Sequence, residues 1–465
     1  MQAAYRQWLS KGLSRRWLIV VGGILINLAL GVLYAWSVFR SPLVAEFKWG
    51  PLTATWPFIL ATVVFAILMI PAGRWNDRFG PMPVGVAGGI LMGIAFMLSS
   101  YAPRGAANTG AAWTWLMLTY GVLAGAAMGL GYAVPVASGV KWFPDKRGLV
   151  VGLSVMGFGG SSLIFAPLAN TMIAASNVWA TFFQLGIVFL IMVVVGSLLL
   201  TTPPTGWRPA GWTPKPLPVA TVEAKGSVGR GAEKRDFTPQ ELLRIPQTYW
   251  LIVMYAFAAA AGLMTISFAK NFLDSFKFND FAAAQGLGWI NSIPVVGYNI
   301  FTGKLVELSA ALVGWLALWN ALGRMLVGWL SDRIGRRNTL VLDHVTIAVI
   351  MLLTPAVTGS AWLMLLMYLL IGVTYGGNLS LFPATNADWF GTKHVGVNYG
   401  IIFLGWGLAG AIGPLIGNFG VQALGGYRTG FIAAAVLGVI AAAMSYSIRR
   451  PVLREELQAA RVPAS

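Results

Sequence analysis

Apolar blocks of about twenty residues recur along this chain, separated by short polar joins. A helix of that length, rising about 1.5 Å per residue, spans a hydrocarbon slab about 30 Å thick. Inside lipid the backbone finds no water to bond, so only helices and closed barrels can cross. The blocks are continuous runs without period-two alternation, which excludes an outer-membrane barrel. The chain therefore reads as an all-α polytopic membrane protein. Composition agrees: 57% of the 465 residues are hydrophobic and 10% are charged, where a soluble domain carries about 25% charge.

Twelve spans are predicted, beginning near Trp17, Thr53, Met82, Ala111, Gly148, Trp179, Gln247, Ser309, Asn338, Ala361, Val397 and Arg428. Met1–Arg16 reads as a short basic lead, and the span after it is too long for the apolar core of a signal peptide. The longest polar stretch divides six spans from six. It defines an N-terminal bundle (1–201), a linker (202–246) and a C-terminal bundle with its tail (247–465). Asp236-Phe237-Thr238-Pro239-Gln240-Glu241 is expected to open a short helix just before the seventh span. Residues 276–304, with Pro294, are expected to form an external hairpin or a re-entrant segment.

The net charge of +17 raises nucleic acid as a partner. Its distribution rejects that. Lys11, Arg15, Arg16, Arg74, Arg78, Lys141, Lys146, Arg147, Arg333, Arg336, Arg337, Lys393, Arg449 and Arg450 cluster at alternate span ends. This follows the positive-inside rule and puts both termini in the cytoplasm of a protein in the cell (inner or plasma) membrane, with the lipid bilayer as partner. There is no cysteine, so thiol catalysis, disulfides and thiolate metal sites are excluded together. No zinc spacing, P-loop, nucleophile elbow or carboxylate pair occurs. Neither enzyme chemistry nor a cofactor or metal is expected.

An internal repeat supports the six-plus-six division. Gly73-Arg74-Trp75-Asn76-Asp77-Arg78-Phe79-Gly80 recurs as Gly328-Trp329-Leu330-Ser331-Asp332-Arg333-Ile334-Gly335, with Gly, Asp, Arg and Gly in register. The pattern suits a tight turn whose carboxylate meets a neighbouring helix N-terminus and whose arginine pairs locally or with headgroups. Trp142-Phe143 is echoed by Trp389-Phe390, and Gly157-Phe158-Gly159 by Gly405-Trp406-Gly407. Such repetition is expected where two bundles rock about a site between them.

Arg324 is the leading site candidate. It lies eight positions before Asp332 in an apolar stretch, so it sits about 12 Å inside the boundary. A guanidinium there keeps its charge and needs water, a counter-ion or an anionic ligand. No carboxylate lies within one helical turn of it. Asn27, Asn320, Asn378 and Gln184 also fall in apolar stretches, where interhelical hydrogen bonds are expected. Lys270 and Arg40 fall near the outer interface, where snorkelling is the default. Gly121, Gly125 and Gly129, and also Gly413 with Gly417, read as close-packing ladders. Asp343-His344, a few residues inside the ninth span, reads as a satisfied interfacial pair, with titration in a transport cycle as the alternative, and no membrane-centre carboxylate is expected as a proton carrier.

The repeated loop resembles the signature of the major facilitator superfamily, and the resemblance extends over all twelve spans. It implies two pseudo-symmetric six-helix bundles in a secondary transporter working by alternating access. Lys141–Leu149, Leu381–Gly391, Asn398-Tyr399-Gly400 and Gly31-x-x-Tyr34-x-Trp36-Ser37 resemble, more narrowly, the oxalate/formate antiporter family, close to the monocarboxylate transporters. That resemblance implies an arginine at 324 in contact with a substrate carboxylate. It places the oxalate exchanger's second cation at Trp406, so a small monoanion such as lactate, pyruvate or formate is expected ahead of a dianion. Animal monocarboxylate transporters carry an aspartate where this chain has Asn320. Symport with H+, exchange and uniport all stay open, as does an anion sensor without flux. Tyr34, Tyr132, Tyr375 and Trp406 are candidates for an aromatic cage, with Asn27 and Asn320 as further ligand contacts. Gly73, Asp77, Arg78, Gly328, Asp332 and Arg333 are the candidate gating positions. A monomer is expected, since the two halves already form the site.

Overall fold

The computed structural model describes residues 2–12, 14–50, 52–209, 236–294, 296–300, 302–423 and 426–451. The middle of the expected linker, 210–235, and the tail 452–465 lie outside the described residues. Among the described residues, twelve helices are long and apolar enough to cross a membrane. In chain order, spans 1 to 6 are Trp17–Phe47, Thr53–Phe79, Pro81–Ser99, Thr109–Trp142, Arg147–Ala175 and Val178–Leu198. Spans 7 to 12 are Pro246–Lys270, Leu308–Ile334, Arg336–Ala356, Ala361–Phe390, Val395–Gly417 and Tyr427–Ser447. Six crossings return the chain to its starting side, so both motif loops, the linker and both ends share one face, called here the linker face.

The two largest helix crossings between the halves are span 5 against span 8 and span 2 against span 11. Both are built from glycine. A Cβ on Gly148 would collide with the Gly328 carbonyl, and one on Gly152 with the Arg324 carbonyl. At the matching crossing, a Cβ on Gly73 would strike Gly396, and one on Gly400 would strike the Met69 carbonyl. Backbones therefore touch directly at both places. The anticipated ladders pack inside the halves instead: Gly121, Gly125 and Gly129 against span 2, and Gly413 and Gly417 against span 7.

The joins between spans 2 and 3 and between spans 8 and 9 each turn on one glycine. Gly80 has φ 84° and Gly335 has φ 91°, conformations that side chains oppose. Span 1 tightens to a 3-10 helix over Gly31–Ala35, where a Cβ on Gly31 would strike the Phe158 backbone of span 5. Tyr34 is carried on this tightened turn.

The segment after span 7 has its own local structure among the described residues. It holds a short helix, Phe278–Ala282, a 3-10 turn, Leu287–Ser292, and a small antiparallel hairpin pairing Tyr298 with Leu305 and Asn299 with Lys304. The expected helix before span 7 is Pro239–Leu243. Its capping box has Thr238 accepting from the Glu241 amide while Glu241 accepts from the Thr238 amide.

Candidate functional site

Arg324 is fully buried at the junction of the halves. Glycines on two neighbours make room for it: Gly152 of span 5 lies on its carbonyl, and Gly376 of span 10 packs on the Asn320 carbonyl and the Arg324 amide. Its Nη1 donates across the junction to the Val155 carbonyl at 2.8 Å, and its Nε to Asn320 Oδ1 at 3.3 Å. The guanidinium carbon lies 5.7 Å from the Phe158 ring centroid. Nη2 has no hydrogen-bond partner. Among the described residues no ion pair involves Arg324, so the charge sits in the protein interior uncompensated.

Aromatic groups close around this charge. The Tyr34 and Tyr375 hydroxyls meet at 2.6 Å, tying span 1 to span 10, and Trp406 Nε1 donates to the Tyr375 hydroxyl at 3.1 Å. Tyr34 and Tyr132 both set edge to face on Phe158, with centroids 5.2 and 5.4 Å away. Phe65 touches Tyr132, Phe158, Phe403 and Trp406. Toward the linker face, Tyr132, Tyr255 and Tyr399 surround Phe403. None of these three buried hydroxyls has a partner that meets hydrogen-bond geometry. The region can thus grip an anion with one guanidinium and enclose an organic remainder with ring faces and phenol groups.

Of the residues singled out in the sequence, Arg324, Asn320, Tyr34, Tyr132, Tyr375 and Trp406 are brought together. Asn27 is elsewhere: its Nδ2 donates to the Gly23 and Ser154 carbonyls at 3.0 and 2.9 Å, joining spans 1 and 5. Gln184 is exposed on span 6, one and a half turns from its far-face end, and among the described residues no interhelical bond from it is seen. A polar group that near the interface reaches water without a partner. Lys270 is half exposed and pairs with Asp274 at 2.6 Å and Glu307 at 3.1 Å. Phe158 and Phe65 were missed. Phe158 occupies the place in Gly157-Phe158-Gly159 that Trp406 takes in the second copy, which was the available signal.

Asp343 and His344 require a correction. Span 8 ends at Ile334 and span 9 starts at Arg336, so Asp343 is seven residues, about 10 Å, inside its helix, where Arg324 is ten residues, about 15 Å, inside its own. His344 is wholly buried and Asp343 is 5% exposed. The pair therefore lies deeper in its helix than the sequence placed it, because the helix begins two residues earlier than its apolar run.

At the linker face, the two loop aspartates act as anticipated for the pattern. Asp332 accepts from the Gly148 and Leu149 amides, both at 3.0 Å, at the start of span 5. Asp77 accepts from the Gly396 and Val397 amides at 3.1 and 3.3 Å, at the start of span 11. Each carboxylate thus binds the positive end of a helix in the other half. Lys141 backs Asp77 at 3.2 Å, and Arg336 backs Asp332 at 2.7 Å. Asp388 joins the halves again through Arg147 at 2.7 Å and is also paired with Arg336 of its own half at 2.8 Å. Arg78 and Arg333 are exposed and lie over Phe79 and Trp329 of their own loops.

Comparison with known proteins follows this geometry. The sequence model of the Major Facilitator Superfamily matches residues 19–308 and 306–464. An uncharacterized MFS-type transporter, YhjX, of Escherichia coli K12 is 28% identical over 84% of this chain and 85% of its own. The oxalate:formate antiporter of Oxalobacter formigenes is 26% identical over 93% of this chain and 91% of its own. Among solved structures, the proton:xylose symporter XylE superposes with a TM-score of 0.63 at 14% identity, covering 93% of this chain and 95% of that one. The last likeness is one of fold.

Proposed function

This chain belongs to the Major Facilitator Superfamily and is a multi-pass membrane transporter, and we propose that its cargo is a small monocarboxylate held by Arg324. The observation that carries the proposal is the fully buried guanidinium whose Nη2 lacks a partner and which, among the described residues, no carboxylate contacts. A carboxylate would accept from that edge in a charge-assisted contact and relieve an uncompensated interior charge. Asn320 holds Nε, and Phe158 backs the guanidinium plane, which presents Nη2 to the ligand. Tyr34, Tyr132, Tyr375 and Trp406 would size the organic remainder.

A single cation in an aromatic enclosure favours a monoanion over a dianion. The relative from Oxalobacter formigenes handles formate as well as oxalate by its name, which supports the carboxylate class.

The transport cycle would alternate about this site. With the linker face shut by Asp77 and Asp332, release on that side requires both carboxylates to leave the helix N-termini they hold. Binding energy that differs between the states drives the exchange. The linker face is assigned to the cytoplasm of a bacterial inner or equivalent plasma membrane, because the basic residues gather there. The active unit is taken to be the monomer.

The test is uptake of labelled lactate, formate and oxalate into proteoliposomes, with Arg324→Ala in parallel. Monocarboxylate flux that the variant loses supports the reading. Flux of oxalate alone would replace it with a dianion exchanger, and unimpaired flux in the variant would remove Arg324 from the site.

A further inference from the structure

Span 9 buries two adjacent titratable residues that the carboxylate site does not use. Asp343 and His344 both meet Asn378 of span 10. The Asn378 Nδ2 donates to Asp343 Oδ2 at 2.8 Å and to the Thr374 carbonyl at 3.0 Å, while its Oδ1 lies 2.8 Å from His344 Nε2. With both amide hydrogens committed, Oδ1 can only accept, so Nε2 carries a hydrogen. The other nitrogen, Nδ1, lies 2.6 Å from Ser445 Oγ of span 12, and that hydroxyl also reaches the Ala441 carbonyl at 2.8 Å. Ser445 can therefore donate to a neutral Nδ1, or accept from a protonated Nδ1 and turn its hydrogen to Ala441. Both proton states of the imidazole fit without moving a heavy atom.

No charged side chain faces the pair among the described residues. Met254 of span 7 touches Ser445, Val327 of span 8 and Gly377 of span 10 flank Asp343, and Phe382 of span 10 stacks on the imidazole. A further titratable group, Tyr255 of span 7, stacks on Phe382. Arg336, two turns earlier on the same helix, is held by Asp332 and Asp388.

One turn of span 10, Thr374–Asn378, links this cluster to Arg324. Tyr375 bonds Tyr34 and Trp406, Gly376 lies on the Asn320 and Arg324 backbone, Gly377 lies against Asp343, and Asn378 bridges the pair. We propose that Asp343 and His344, bridged by Asn378, form a proton-binding site that couples proton movement to that of the anion held at Arg324. The proposal rests on the reading of Arg324 given above and extends it to symport.

Charge balance supplies the mechanism. With one proton the Asp343–His344 cluster is neutral overall, and without it the cluster carries one negative charge. The empty carrier then holds Arg324 positive and the cluster negative; the full carrier holds a carboxylate on Arg324 and a proton on the cluster. Both sum to zero. A carrier loaded with only one of the two leaves a net charge in the membrane core, which costs several kcal/mol. Anion and proton therefore cross together or return together absent.

The experiment uses the full chain in proteoliposomes with lactate as probe, in two assays. One measures counterflow exchange at equal pH, and the other accumulation driven by an acid-outside gradient. The wild type should do both. Asp343→Asn and His344→Gln should keep counterflow within a few-fold and lose gradient-driven accumulation by about tenfold or more. A wild type without any flux defeats the carboxylate reading itself. A wild type that exchanges but ignores the gradient leaves that reading intact and overturns this one. Variants that accumulate normally overturn it too. So does loss of counterflow in both variants, which marks the cluster as structural.

Discussion

The two crossings between the halves share one scaffold and differ in chemistry. Placing the loop motifs in register matches Arg324 with Met69 and Asn320 with Phe65. Gly152 lies on the Arg324 carbonyl as Gly400 lies on the Met69 carbonyl. Phe158 of span 5 faces Arg324, while its counterpart Trp406 of span 11 faces Phe65. The same register matches Asp343-His344 with Gly88-Gly89, which pack on spans 4 and 6 where the acid and imidazole meet spans 10 and 12. The halves are thus alike in how their backbones meet and unlike in what they carry. Among the described residues the charged groups buried well inside the spans, Arg324 and Asp343, lie in the C-terminal half, and the N-terminal half offers Arg324 an aromatic and carbonyl surface.

The most direct way to break that contrast is to exchange its extremes. Arg324→Lys should reduce carboxylate uptake about 100-fold, since losing the directed charge-assisted contact from Nη2 forfeits roughly 3 kcal/mol. Met69→Leu, at the matched apolar position, should stay within about twofold. Comparable losses at both positions would mean that the crossing matters and the charge does not.

The contrast at the linker face is one of degree. Asp332 makes shorter bonds to its helix than Asp77 does. Asp332→Asn should therefore open this face more than Asp77→Asn, by about fivefold against about twofold, the scale of a helix-end charge effect of up to about 1 kcal/mol. Because the chain has no cysteine, Ser380→Cys beside Gly328 gives a unique maleimide probe whose labelling rate reads the opening. Equal rates in the two variants would make the latches equivalent.

The smallest effect is expected where the copies are most alike. Arg78→Ala and Arg333→Ala each remove an exposed cation from an aromatic ring, worth about 0.5–1 kcal/mol. Transport should stay within about twofold in either. A larger loss in one alone would reveal a role outside its own loop.

Much of this was legible in the sequence because membranes simplify folding. Twelve apolar blocks, the duplicated loop and one unpaired arginine specify the spans, the halves and the centre of the site. The remainder depends on which face of a helix a residue takes, which an all-round apolar helix does not declare. Phe158 is indistinguishable by composition from any lipid-facing ring. Asn27 sits in a span that borders the site, yet its amide faces span 5. Asp343 and His344 were placed too shallow because Arg336 and Arg337 read as loop, although Arg336 opens the helix with its charge bound by Asp332 and Asp388.

Glycine-on-glycine contact gives the linker-face junction the mechanics of a smooth bearing. Where Gly148 meets Gly328 and Gly73 meets Gly396, no side chain interlocks with another. Separating these surfaces demands no rotamer change and tears out no knob from a hole. Resistance to parting is then concentrated in the carboxylates at the rim, which act as catches that hold or let go. A machine of that design moves abruptly, between seated and free, and its speed can be tuned at the catches without touching the surfaces that slide.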